Sequence, residues 1–166
     1  MNRRGDIDKI EKTLLRAREK GFALRTTFIV GFPGETEEDF EELKDFVEKQ
    51  RFENAGVFQY SQEEGTVAGA MENQIAAEVK ENRYHELMAL QAGISEEIHQ
   101  EREDAELDVL VEGFDEDNLA YGRSTHEAPD IDGTIFIENA EGLAVGDMVR
   151  VRILQGFTYE MVGEKL

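Results

Sequence analysis

A change of period near Glu106 constrains this chain more than any other feature. Before it, Val79, Leu87, Leu90, Ile94 and Ile98, with Arg83 among them, recur at the spacing of one face of a long helix whose other face is strongly charged. After it the apolar residues gather in short β-type runs: Leu107 to Phe114, Leu119 to Ser124, Thr134 to Glu138, Met148 to Leu154 and Thr158 to Gly163. Turn-forming residues separate them at Asp115 to Asn118, Pro129 to Gly133 and Gly142 to Asp147. Five short strands in about 60 residues fit a small five-stranded antiparallel β-barrel of oligomer-binding (OB-like) type. Two architectures therefore follow one another along the 166 residues.

The part upstream of the long helix reads as α/β. Asp6 is placed to cap a helix over 7 to 20, with Ile7, Ile10, Leu14 and Ala17 on one face and Gly21 as its stop. Phe22 to Val30 is mostly apolar with β-branched residues, which predicts a strand covered on both faces. Gly31-Phe32-Pro33-Gly34 forces a turn. Thr36 and Asp39 have capping-box spacing ahead of a helix with Phe40, Leu43, Phe46 and Val47 on one stripe, and Ala55 to Tyr60 is a second strand. Strand, helix and strand with short links form a βαβ unit, hence a parallel sheet or part of a barrel, and Ser61 to Asn73 is a loop.

With 40% hydrophobic residues and two prolines the chain has the composition of a globular protein. Its formal charge is −20, of which Asp104 to Leu166, with 15 acidic and 4 basic residues, carries −11. A field of that sign repels phosphate backbones and attracts basic proteins, so free RNA and DNA are disfavoured as partners. There is no cysteine, which excludes disulfides and cysteine-held zinc or iron–sulfur clusters within these residues. No run of about 18 apolar residues exists, and Met1 to Lys12 is too charged for a secretion signal, which implies a cytoplasmic protein with no membrane partner.

Few residues carry chemistry of their own. His85, His99 and His126 are scattered and read as surface residues. Asp115-Glu116-Asp117-Asn118 lacks the glycine and bidentate glutamate of a calcium loop, since Ala120 and His126 stand at those places, and reads as a hairpin turn. Gly31 to Thr36 lies at a strand-to-helix junction, but Glu35, Glu37, Glu38 and Asp39 already occupy the helix start that an anion would need, and no lysine follows Gly34. A tight turn before a capped helix explains both glycines. Tyr60-Ser61-Gln62-Glu63-Glu64-Gly65-Thr66 follows the second strand at the same end of the sheet, the end at which parallel β/α folds bind ligands. No nucleophile and base can be assembled from these residues, so no catalytic residue or metal ligand is assigned.

Arg25-Thr26-Thr27-Phe28-Ile29-Val30-Gly31-Phe32-Pro33-Gly34-Glu35-Thr36 and Gly56-Val57-Phe58-Gln59-Tyr60-Ser61-Gln62-Glu63-Glu64-Gly65-Thr66 resemble two late barrel strands of the radical S-adenosylmethionine methylthiotransferases. Gly122-Arg123-Ser124, Ala128-Pro129-Asp130-Ile131-Asp132-Gly133 and Tyr159-Glu160-Met161-Val162-Gly163 are similar to the branch of that family acting on an aspartate of the twelfth small-subunit ribosomal protein. Met1 to Gly5 also resembles an internal stretch of the family.

The resemblance implies the carboxyl-terminal part of a radical-SAM barrel (a partial barrel of βαβ plus long helix) over 1 to 103 and a TRAM barrel over 104 to 166. It implies S-adenosylmethionine and iron–sulfur (4Fe-4S) clusters in the full-length enzyme, where S-adenosylmethionine is cleaved to the radical that attacks the target aspartate. The family's cluster cysteines are absent here, so no cofactor is expected to be held by these residues alone, and the chain is expected to be inactive by itself. On the same analogy Ile29, Gly31 and Phe32 help seat the nucleoside, and Arg25 and Tyr60 line the barrel mouth. The acidic module, with Asp115, Asp117, Asp130 and Asp132 contributing, is expected to dock the basic ribosomal protein, and the missing amino-terminal half is a second implied partner. A transfer-RNA methylthiotransferase and a stand-alone protein-binding module are the alternatives.

Overall fold

A computed structural model describes residues 6 to 166; the likeness at Met1 to Gly5 lies outside them. The chain divides into two compact units that meet between Gln91 and Ala92.

In the first unit, Asp6 caps α1 (Ile7–Glu19) by accepting the Lys9 amide at 3.2 Å, and Gly21 leaves the helix at φ +75°. The apolar stripe of α1 is not buried. Ile7, at 63% exposure, and Ile10 instead line an open groove with Phe28, Leu43 and Phe46. The Arg18 guanidinium ties α1 to the carbonyls of Gln50 and Arg51.

Strands β1 (Arg25–Val30) and β2 (Asn54–Gln59) pair in parallel around α2 (Glu37–Gln50), with Arg25 opposite Asn54 and Ile29 opposite Phe58. Thr36 and Asp39 form the expected capping box: the Asp39 amide donates to the Thr36 hydroxyl and the Thr36 amide to the Asp39 carboxylate. Val30, Phe40, Val47, Phe52, Val57 and Leu87 are buried in this unit. The expectation that β1 is covered on both faces is corrected. Its burial alternates, and Arg25, Thr27 and Ile29 form an exposed row beside Phe58, which is 62% exposed. A β-branched run marks a strand, but it does not count the faces that helices cover.

The long helix α3 (Ala77–Gln100) buries Arg83, Leu87, Gln91, Ile94 and Ser95, whereas Val79 stays exposed. Polar residues enter the stripe where they meet a backbone partner, as when the Gln91 amide donates to the Phe52 carbonyl at 2.9 Å.

The second unit is a closed barrel of β3 (Glu106–Phe114), β4 (Ala120–Arg123), β5 (Thr134–Glu138), β6 (Met148–Gly156) and β7 (Glu160–Lys165), in ring order β3-β4-β5-β7-β6. Val109, Val111, Ala120, Ile135, Ile137, Val149, Val151, Ile153 and Met161 fill it. Five strands were expected, and four of the five pairings are antiparallel; β5 and β7 run parallel. The reason is topological. After β5 the chain crosses the barrel end to β6, and the β6-β7 turn sends β7 back in the direction of β5. Close strand contact also needs Gly122, where a Cβ would fall on the Leu110 carbonyl oxygen.

Candidate functional site

At the carboxyl end of the two parallel strands, Gly31 turns at φ +72° and Gly34 at φ +86°, a region where a side chain would be strained. The Tyr60 amide donates to the Val30 carbonyl at 2.9 Å, bringing the two strand ends together, and the rings of Phe32 and Tyr60 meet edge to face with centroids 5.2 Å apart. The Gly31 amide donates to Glu35 Oε1 at 2.8 Å. The same oxygen accepts from Arg83 at 2.7 Å, and the other guanidinium nitrogen reaches Glu37 at 3.0 Å. Arg83 lies over the Phe40 ring, 5.3 Å from its centroid. Burial opposes the Arg83 charge, but Glu37 and Glu35 outweigh it and hold its pKa above the ordinary value. Lys80 donates to the Tyr60 carbonyl at 3.0 Å and lays its stem against Gly31.

The turn therefore satisfies its charges internally, as the capped-turn reading expects. What it leaves open is apolar: Ile29 at 40% exposure beside Phe58, on the sheet face next to Gly31. Of the residues singled out in sequence, Gly31, Phe32 and Tyr60 are brought together and Ile29 adjoins them. Arg25 is not with them. It opens β1, six residues before Gly31, or about 20 Å at strand rise. Sequence reasoning placed Glu35 at the turn but missed Phe58, Lys80 and Arg83 as parts of this end. The usable signal was a cation inside the apolar stripe of α3, which has to meet carboxylates such as those at 35 and 37.

In the barrel, strand directions place Asp115 and Asp117 at the end where β4 begins, and Asp130 and Asp132 in the loop at its opposite end. The four aspartates do not form one surface. Asp115 accepts the amides of Asp117 and Leu119 at 3.0 and 2.8 Å, and Asp132 accepts the Ala128 amide at 2.7 Å, so both shape their own turns. Asp117 and Asp130 are exposed.

The cations of the module are all engaged. Arg150 meets Asp108 at 3.0 Å and Glu106 at 3.5 Å, Arg152 meets Glu164 and Glu106, Arg123 meets Glu112 at 2.6 Å, and Lys165 donates to the Glu141 carbonyl. The register of β3 and β6 sets this ladder, since Glu106 faces Arg152 and Asp108 faces Arg150.

Buried Glu127 accepts the Ser124 amide and hydroxyl at 2.8 and 2.6 Å and Arg102 at 3.2 Å, pinning the β4-β5 loop. His99 lies 2.6 Å from the Phe157 carbonyl; burial lowers its pKa although that carbonyl opposes the shift. His85 is exposed, but His99 and His126 are half-buried, a correction to their reading as surface residues. Among the described residues no group of three or more His, Asp or Glu side chains is arranged to hold a metal ion.

Two family models match the chain: the Radical SAM superfamily over residues 1 to 47 and the TRAM domain over residues 105 to 165. The chain is thus similar to the radical SAM proteins that carry a TRAM domain. Within them it is a homologue of the ribosomal protein uS12 methylthiotransferase RimO. It is 47% identical to that of Caldanaerobacter subterraneus subsp. tengcongensis over 165 residues, covering 99% of this chain and 38% of the relative. It is 48% identical to that of Bdellovibrio bacteriovorus over 168 residues, covering 99% of this chain and 36% of the relative. The chain spans less than two fifths of the length of these curated relatives.

Proposed function

We propose that this chain is the substrate-holding, carboxyl-terminal portion of an enzyme that methylthiolates an aspartate of ribosomal protein uS12 in the cytoplasm. Residues 1 to 103 complete the radical barrel, and residues 104 to 166 are the docking module. The names of the relatives support the activity. The observation that carries the docking role is the charge arrangement: every cation of the module is tied to a carboxylate or carbonyl, and the remaining carboxylates, buried Glu127 and half-buried Asp132 apart, are exposed. An RNA-binding barrel needs free cations to displace counterions, whereas a lysine- and arginine-rich protein is attracted by this field.

The residues present fit the implied S-adenosylmethionine in part. Exposed Ile29 and Phe58 offer an apolar wall for a nucleoside, Gly31 brings backbone close to it, and the ring of Phe32 is braced on Tyr60. S-adenosylmethionine, when bound, supplies the radical and methyl chemistry. An iron–sulfur cluster does not fit the donors of this chain, which has no cysteine. The chain's own work is to present that wall and to hold the protein substrate, and alone it is inactive.

Two assays test this. The purified chain is expected to retain uS12 at physiological salt and to release it as salt rises, and transfer RNA is expected not to bind. Binding of transfer RNA without uS12 points to the RNA-modifying alternative and overturns the docking role, as does binding of neither. Turnover by the chain alone would overturn its assignment as an inactive portion.

A further inference from the structure

We propose that Arg83 is the positioning residue of the Gly31 to Thr36 turn, acting through Glu35 to fix the Gly31 amide and with it the backbone edge beside the apolar wall; the ligand in question rests on the reading above. Glycine at φ +72° has little conformational preference of its own, so the direction of its N–H must be set from outside. Glu35 Oε1 sets it, at 2.8 Å. A free glutamate would rotate away into water. This one cannot, because Arg83 donates to the same oxygen at 2.7 Å and to the Glu35 carbonyl at 3.2 Å. Arg83 is in turn held by Glu37 and by the Phe40 ring, and its side chain is only 7% exposed.

Lys80 completes the hold from the same helix. It is three residues earlier and so on the same face, and its stem occupies the space that a side chain at position 31 would need. The two cations of α3 thus close on the turn, one through its carboxylate and one against its backbone.

A purely structural arginine and a positioning one make different predictions for amide exchange. If Arg83 only stabilised the unit, its loss would raise exchange equally at Gly31 and at Val47 in α2. As a positioning residue, Arg83→Met is expected to raise Gly31 exchange by about tenfold beyond any change at Val47, the size of one charge-assisted hydrogen bond. Arg83→Lys keeps the charge but not the fork, and should give a smaller rise at the same place; it also serves if the methionine variant does not fold. Lys44→Met removes another bridge between α2 and α3, to Glu86 at 3.3 Å, and should leave Gly31 unchanged.

The measurement is hydrogen exchange by NMR on the 166-residue chain, followed by titration with S-adenosylmethionine read at Gly31 and Phe32. Without the clusters of the full enzyme the apolar wall is expected to give only weak, fast-exchanging contact, which shifts both amides at high S-adenosylmethionine in the wild type and less in both Arg83 variants. Gly31 exchange that moves only in step with Val47 overturns the inference about Arg83, whatever the ligand does. An Arg83 effect on exchange with no shift on adding S-adenosylmethionine overturns the ligand reading and leaves the positioning role standing.

Discussion

Replacing Glu127 by alanine should open the barrel more than any other single change to a charged residue in it. The Glu127 side chain is 4% exposed and accepts three hydrogen bonds, from the Ser124 amide, the Ser124 hydroxyl and Arg102. Its loss strands a guanidinium whose side chain is 16% exposed and leaves the buried Ser124 amide without its acceptor. Removing one partner of a buried ion pair costs about 3–5 kcal/mol. Arg102 keeps some access to water, so the lower end applies, about 3 kcal/mol, or roughly a hundredfold in the opening equilibrium. Amide exchange at Val109, Val111 and Val151, in the ring core, reads that equilibrium directly. The double variant Glu127→Ala, Arg102→Met should lose less than the sum of the single changes, because no buried charge is left alone. If Glu127→Ala speeds core exchange by less than about threefold, or if the two changes simply add, the ion pair does not hold this loop in the way its geometry implies.

The same structure sets three further outcomes. Burial keeps His99 neutral in the folded barrel unit, its Nδ1–H donating to the Phe157 carbonyl, so the unfolded chain takes up the proton first. Stability from this group is complete above the unfolded pKa of about 6.5 and is lost as pH falls through the lower folded value; urea midpoints at pH 7.5 and 5.5 should differ, and His99→Gln should reduce the difference. Gly122→Ala drives a methyl into the Leu110 carbonyl and should cost about 2 kcal/mol or more through the backbone shift it forces, seen as a lower urea midpoint; an unchanged midpoint would show that β3 yields freely. The open face of Ile29 and Phe58, on a sheet that has two strands among the described residues, should make the chain self-associate, and Phe58→Lys should weaken this in sedimentation; association indifferent to that change rules out this face.

Local chemistry made much of the fold legible. Asp6, Thr36 and Asp39 announce their helix starts because a cap is a short-range hydrogen bond, and Gly21, Gly31 and Gly34 announce turns that require positive φ. Long-range facts were hidden. Nothing in Thr26 to Val30 tells how many faces of β1 are covered, and the parallel pairing of β5 with β7 depends on β6 crossing first. In the candidate sites, Gly31, Phe32 and Tyr60 lie together because they follow parallel strands at one end. Arg25 lies at the opposite end of β1, because a motif in sequence stretches over the length of a strand. Charge counts carry no direction: β4 puts Asp117 and Asp130 at opposite ends, and backbone amides occupy Asp115 and Asp132.

The ring order of the barrel has a consequence for how it comes into being on the ribosome. β7 sits between β5 and β6, and the Leu166 amide bonds to the Arg150 carbonyl at 3.0 Å. Until Glu160 to Lys165 have been synthesised the ring has a gap, with the edges of β5 and β6 unpaired and Met161 missing from the core. Synthesis thus imposes an order in which the barrel closes only after β7 has been made, and a nascent chain stopped before Glu160 exposes two adhesive strand edges instead of an acidic barrel.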